Sequence, residues 1–220
     1  EGAIPMSRID DAITRILRVK YDLGLFDDPY GKVERASQVG SDKNRQIARD
    51  AVKMSMVLLK NESNILPLKK DKSITVVGSG ANNLGMQNGG WTVEWQGRST
   101  PDFKILDSNS DEKLNLDEVT TYFKSAYDAK YDAGNVEGFF KNLDKDSNGD
   151  VNENEFKKFI TESPYQPDGT SILKALEKAS DKEGLITYDP RAENISKGDV
   201  IVAVVGENPY AEGIGDNPTI

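Results

Sequence analysis

The run DKDSNGDVNENE, from Asp144 to Glu155, is the stretch on which the reading of this chain turns. Oxygen-bearing side chains fall at positions 1, 3, 5 and 9 of twelve: Asp144, Asp146, Asn148 and Asn152. The backbone carbonyl of Asp150 takes position 7, and Glu155 closes the run at position 12, where both carboxylate oxygens can be offered. Gly149 stands at position 6, where the chain must turn sharply around an ion. A hard cation needs this alternation, because side chains two residues apart converge on one point in a tight loop. The pattern predicts an EF-hand calcium loop. With no His and no Cys in the chain, zinc, copper and iron lack their usual ligands.

The flanks agree. Val136, Phe139, Phe140 and Leu143 recur at helical spacing before the loop, and Phe156, Phe159 and Ile160 continue an apolar stripe after it. Shifting by 37 residues finds a second copy in Asp107–Glu118. There Asp107, Asn109, Asp111 and Asn115 hold positions 1, 3, 5 and 9. Lys113 supplies the carbonyl of position 7, and Glu118 holds position 12. Leu114 and Val151 both occupy position 8, where paired loops join through a short β-bridge. This copy carries Glu112 at position 6 instead of glycine, which strains a left-handed backbone by about 1–2 kcal/mol. Its first helix is expected to be short, since Pro101 limits it. Both a binding loop and a degenerate loop kept only for pairing remain open for it.

Composition bounds the remainder. The chain has 220 residues and a formal net charge of −9. Residues 101–165 carry 15 acidic and 8 basic side chains, a net of −7, so most of the acidity lies in the helix–loop pair. No basic face for nucleic acid is expected, nor any apolar run of about 18 residues to span a membrane. The N-terminus lacks an initiator Met and reads as the interior of a longer chain.

Outside residues 101–165 the pattern alternates helix and strand. Residues 5–22 form an amphipathic helix through Ile9, Ile13, Ile16, Leu17 and Tyr21, and residues 23–40 read as a linker. Asp42 opens a helix carrying Ile47, Ala51, Met54 and Leu58. Residues 73–77, 185–188 and 200–205 read as strands, the first of buried parallel type. Thr170 is the expected cap of a helix with Ile172, Leu173, Leu176 and Ala179. The fold class is therefore α/β, a partial three-layer sandwich on a parallel sheet with an inserted all-α pair. After the first strand, Gly78 and Gly80 begin like a dinucleotide fingerprint, but Asn83 stands where the third glycine belongs.

The run VVGSGANNLGMQNGGWTVEWQG (76–97), with GTSILKAL (169–176) and IVAVVGENPYAEGIGD (201–216), resembles glycoside hydrolase family 3, in its β-glucosidase and glucan glucohydrolase branch. The opening IPMSRIDDAITRILRVKYDLGLFDDP (4–29) looks like the last helix of that family's TIM-like barrel. ARDAVKMSMVLLKNESNILPL (48–68) looks like the start of its α/β sandwich. The resemblance implies this organisation: 1–22 the end of a barrel, 23–40 a linker, 41–100 with 166–220 the first part of the sandwich. The EF-hand pair, 101–165, is an insertion, where the family's usual pattern has a short loop.

The resemblance also implies a retaining β-glycosidase acting on β-linked glucosides or glucans, with two catalytic carboxylates. Both would lie elsewhere in the polypeptide, so no catalytic residue is expected here; Glu94, Glu207, Glu212 and Asp216 read as loop structure or as supports behind the residues that touch the substrate. Trp91 and Trp95 sit in a glycine-rich loop, and the residues alone allow either core packing or sugar contact. The resemblance makes them substrate-binding, Trp95 as the clamp. Expected partners are a β-glucoside or β-glucan oligosaccharide, Ca²⁺, and the rest of the same polypeptide, in a periplasmic or secreted setting. The rival class is a non-catalytic calcium-dependent carbohydrate-binding or dockerin-like adaptor. Dockerin loops commonly end in Asp and lack the first helix, whereas Glu118 and Glu155 stand at position 12 here.

Overall fold

The computed structural model describes residues 2–92, 94–127, 133–162, 169–195 and 200–213. The chain divides into two compact units, residues 1–66 and 67–220.

In the first unit, helix α1 spans Met6–Asp22. Pro5 sits just before it with extended backbone, where its missing N–H costs nothing. The helix ends in a Schellman turn: the amide of Gly24, at φ 69°, donates to the Tyr21 carbonyl and that of Leu25 to Lys20. The Ile9, Ile13, Ile16, Leu17 stripe is exposed along its length. The segment expected to be a plain linker contains a 3₁₀ helix, Val33–Gln38. Helix α2 spans Asp42–Ser55, with the Ser41 hydroxyl accepting the Asn44 amide at its start. Leu58 was expected on this helix and lies beyond it, because the backbone turns extended at Met56.

The second unit holds a three-stranded parallel sheet ordered β4–β1–β5. Its strands are β1 Ile74–Val77, β4 Ile186–Asp189 and β5 Val200–Ala203. Ile74 pairs with Ile186 on one side and Val200 on the other. Every residue of β1 is buried, as a central strand covered on both faces requires. Helix α8, Ile172–Ala179, packs Leu173 against Ile74, Val76 and Ala81. Its cap is Ser171, whose hydroxyl accepts the Lys174 amide, and not Thr170 as expected. Thr170 instead gives its carbonyl to Gln87.

A short helix, α3 (Leu84–Asn88), follows β1. Then comes a separate helical module: α4 Phe103–Leu106, β2 Lys113–Leu114, α5 Leu116–Tyr127, α6 Ala133–Leu143, β3 Val151–Asn152 and α7 Glu153–Glu162. The two strands are antiparallel, with Leu114 opposite Val151, the bridge that the repeat predicts. Helix α4 is only four residues long and begins after Pro101, capped by the Asp102 carboxylate. Phe103, Leu106, Leu114, Val119, Val136, Phe140, Leu143, Val151 and Phe156 make one core separate from that of the sheet. Phe103 and Phe156 meet edge to face at 5.7 Å, tying the first helix of one copy to the last helix of the other.

Candidate functional site

The 144–155 loop gathers its acids. Carboxylate oxygens of Asp144, Asp146 and Glu155 lie within 4.8 Å of one another. Backbone amides aim them inward: Gly149 N donates to Asp144 Oδ2 at 3.0 Å, Asn148 N to Asp146 Oδ1 at 3.1 Å, and Lys145 N to Glu155 Oε1 at 3.2 Å. Gly149 adopts φ 91°, the conformation position 6 demands. Like charges this close repel unless a cation or proton intervenes, and an all-oxygen set of this kind suits a hard divalent cation.

The 107–118 loop is folded the same way. Asp107 accepts the amides of Asp111 and Glu112, and Glu118 Oε1 accepts Ser108 N at 2.9 Å. Asn109 Oδ1 accepts Asp111 N, and Asn115 Oδ1 accepts Glu118 N. Glu112 stands at φ 66°, so the strain expected of a side chain at position 6 is present. Asp107 and Glu118 are buried, whereas Asp144 and Glu155 are half-buried. The loops are joined at position 7 by an ion pair, Lys113 Nζ to Asp150 Oδ2 at 3.0 Å.

The tryptophan loop is a second, distinct surface. Trp91 N donates to the Trp95 carbonyl at 2.8 Å and Gly97 N to the Glu94 carbonyl at 2.9 Å, so Trp95 sits on a turn tied back to Trp91. The indoles meet at 5.9 Å between centroids and 65° between planes. Both are exposed, Trp91 by 68% and Trp95 by 50%, so neither is a core residue. Gln96 anchors the turn to residues 211–212: its Oε1 accepts Ala211 N and its Nε2 donates to the Glu212 carbonyl. A Cβ on Gly90 would overlap the Tyr210 carbonyl, so the loop approaches that segment backbone to backbone. Glu94 is paired with Arg98 at 2.8 Å, and Glu207 accepts the Tyr210 hydroxyl at 2.8 Å, which raises the phenol above its usual range. These partners fit structural roles for both carboxylates. Asp216 lies outside the described residues.

Sequence reasoning missed the residues that seat the helical module on the sheet. Asn83, seen only as a flaw in a glycine motif, is buried and caps α3 by accepting Met86 N. It also accepts Thr100 N at 2.9 Å and donates to Ser99 Oγ at 2.8 Å. Asn82 links the start of the module to the start of α8, donating to Asp102 Oδ2 and accepting the Ser171 hydroxyl. Arg191, after β4, donates to the Asp107 carbonyl and to Ser110 Oγ. Two adjacent asparagines in the loop that follows a buried strand are a legible sign of side chains serving the backbone. Nothing local marks Arg191.

The family model of the glycosyl hydrolase family 3 C-terminal domain matches residues 56–220. A lysosomal beta glucosidase of Dictyostelium discoideum is 40% identical over 100 residues, 44% of this chain and 12% of that protein. A periplasmic beta-glucosidase of Salmonella typhimurium is 40% identical over 98 residues, 42% of this chain and 13% of that protein. The chain thus aligns with about an eighth of each relative's length. The crystal structure of an exo-1,3/1,4-beta-glucanase from a Pseudoalteromonas species superposes with a TM-score of 0.57 at 31% identity, over 98% of this chain and 20% of that one. A parallel sheet flanked by helices and a family-model match over most of the chain agree: it belongs to glycosyl hydrolase family 3, through that family's C-terminal domain.

Proposed function

We propose that the whole protein is a retaining β-glycosidase acting on β-linked glucosides or glucan oligosaccharides, and that this chain supplies part of its substrate rim. The observation that carries the reading is the exposed Trp91–Trp95 pair on an anchored turn of a family 3 domain. Indole faces cover the apolar faces of sugar rings, and neighbouring polar groups bond the hydroxyls. Trp95 is the clamp. The names of the relatives, β-glucosidases and an exo-β-glucanase, support the substrate class.

Hydrolysis with retention uses a nucleophilic carboxylate and an acid/base carboxylate about 5–5.5 Å apart. We assign neither role to this chain; the rest of the same polypeptide supplies both. What this chain does is bind and orient. Its Trp91 and Trp95 faces restrict the sugar, and Gln96 fixes the turn that carries them.

The helical module, 101–165, is an EF-hand pair that holds Ca²⁺ through Asp144, Asp146, Asn148, Asp150, Asn152 and Glu155, and through Asp107, Asn109, Asp111, Lys113, Asn115 and Glu118. The carboxylate cluster and the left-handed turns at Gly149 and Glu112 support this. The bound ion would offset acid–acid repulsion and stiffen the module beside the Ser99–Thr100 junction. A dockerin-like adaptor is less well supported, since α6 before the second loop is a full helix of 11 residues. A periplasmic or secreted setting suits loops of this kind, and one relative is named as periplasmic. No helix among the described residues is long and apolar enough to cross a membrane.

The test is Trp95→Ala in the full-length protein, assayed on an aryl β-glucoside and on a glucan oligosaccharide. KM for the oligosaccharide should rise about tenfold or more with kcat little changed, the mark of lost binding rather than lost chemistry. An unaltered KM removes the clamp, and no hydrolysis by the wild type removes the enzymatic reading.

A further inference from the structure

Arg191 lies two residues beyond the last residue of β4, on the sheet side, yet its guanidinium spends two donors on the first acidic loop. Nη1 donates to the backbone carbonyl of Asp107 and Nη2 to Ser110 Oγ at 2.9 Å. Asp107 is position 1 of that loop and Ser110 position 4. Ser110 is left-handed, at φ 60°, as its counterpart Ser147 is at φ 58°. The second loop has no matching support: among the described residues no arginine reaches the Asp144 carbonyl or the Ser147 hydroxyl. The Arg191 side chain is 23% exposed, and Nη2 also meets Glu193 Oε2 at 3.1 Å. Behind it, the Pro190 carbonyl accepts Gly78 N at 3.1 Å, at the end of β1.

The geometry points to Arg191 as a positioning residue that preorganises the 107–118 loop for a divalent cation and couples its occupancy to the 189–194 segment of the sheet domain. The inference rests on the reading of these loops as calcium sites. Two effects compete. A positive guanidinium near a cation repels it, while a planar fork holding two loop atoms lowers the cost of ordering the loop. The second should win. The acceptors are a neutral carbonyl and a hydroxyl, so no ligand carboxylate is consumed, and the Glu193 carboxylate screens the charge. The need is also local: this loop bears the strained Glu112, and its partner bears Gly149. By linkage, whatever Arg191 does for the cation, the cation does for Arg191 and its segment.

The experiment uses the whole chain carrying Glu155→Gln, which isolates the first loop, and titrates CaCl₂ by calorimetry with and without Arg191→Met. The methionine keeps length and removes both donors. Calcium affinity should fall about tenfold, the scale of one or two hydrogen bonds. Amide exchange supplies a readout that affinity alone does not: calcium should protect residues 189–194 when Arg191 is present and leave them unprotected in the Met variant. Arg191→Lys keeps the charge without the fork and should lose severalfold. Unchanged or increased affinity in the Met variant, wild-type affinity in the Lys variant, or calcium protection of 189–194 that persists without Arg191 overturns the coupling while leaving the calcium sites standing. If the parent chain binds calcium but Glu155→Gln abolishes all binding, the first loop is no independent site and the coupling fails. If the parent chain binds no calcium, both readings fall together.

Discussion

Lys113 Nζ lies 3.0 Å from Asp150 Oδ2, and each residue is position 7 of its own twelve-residue loop. The pair crosses the antiparallel bridge, where Lys113 faces Asn152 and Leu114 faces Val151. Both side chains are largely exposed, so the contact is a local tie between loops whose main coupling is the buried Leu114–Val151 pair. The Asp150 hydrogen bond, followed by its charge, holds the Lys113 ammonium above its ordinary range. Because solvent screens the pair, removing it with Lys113→Met should still cost little. A double-mutant cycle with Asp150→Asn should give only a small coupling, one that shrinks as salt is raised. A raised lysine contributes at any pH below its unfolded value of 10.5 and loses its effect only as pH climbs through the higher folded value. The coupling should thus be flat from pH 6 to 9. A large, salt-insensitive coupling would contradict this account.

Calcium should find two unequal sites. At about a hundredfold excess over Kd, a bound ligand stabilises the fold by about 2.7 kcal/mol, so the melting temperature should rise in calcium and fall back in chelator. Glu155→Gln should remove the tighter site. Glu112→Gly should tighten the other about fivefold or more, because it relieves a left-handed residue bearing a Cβ. Two equal affinities, or a Gly variant that binds more weakly, would show that position 6 is not the discriminating feature.

Asn83→Ala should be among the most damaging single changes in the second unit. It removes the α3 cap, leaves Thr100 N without its side-chain acceptor and leaves Ser99 Oγ with Tyr122 Oη as its remaining side-chain partner. Buried groups left unpaired cost about 1–3 kcal/mol each, so a loss of about 3 kcal/mol in urea unfolding is expected. Asn83→Asp should not rescue it, since it keeps the acceptor but loses the donor to Ser99 and buries a charge. A loss below about 1 kcal/mol would mean the junction reorganises around the gap.

Tyr188 offers the opposite sign. Its Oη is buried without a hydrogen-bond partner among the described residues. Burial, with the Asp102 carboxylate adding to it, pushes the phenol far above the ordinary value of 10.0. The folded state therefore keeps a proton that the unfolded state releases, and stability declines as pH rises past about 10. Tyr188→Phe should stabilise the protein by about 1 kcal/mol near neutrality and flatten that alkaline decline. An ultraviolet titration of the tyrosines should lose its latest-ionising member. Destabilisation by the variant would mean that the hydroxyl is satisfied in solution.

The sequence determined by itself whatever depends on neighbours in the chain. The twelve-residue loops, their flanking stripes, the short helix after Pro101, the Leu114–Val151 bridge and the buried strand at 74–77 are local patterns of period, turn and charge, and each stands where its residues place it. Even the strain at Glu112 was legible, since it follows from one missing glycine. Helix limits were less so: Leu58 carries the right periodicity, yet the backbone leaves the helix at Met56, and Ser171 displaces Thr170 as the cap. The tertiary structure alone decided how the pieces are joined. Asn82 binds Asp102 and Ser171 across 20 and 89 residues of chain, and Arg191 reaches Asp107 across 84. It also decided that Trp91 and Trp95 face outward. A polar side chain's partner in a junction is fixed by which backbone groups the fold leaves unpaired, and that quantity exists only once the sheet and the helical module have formed.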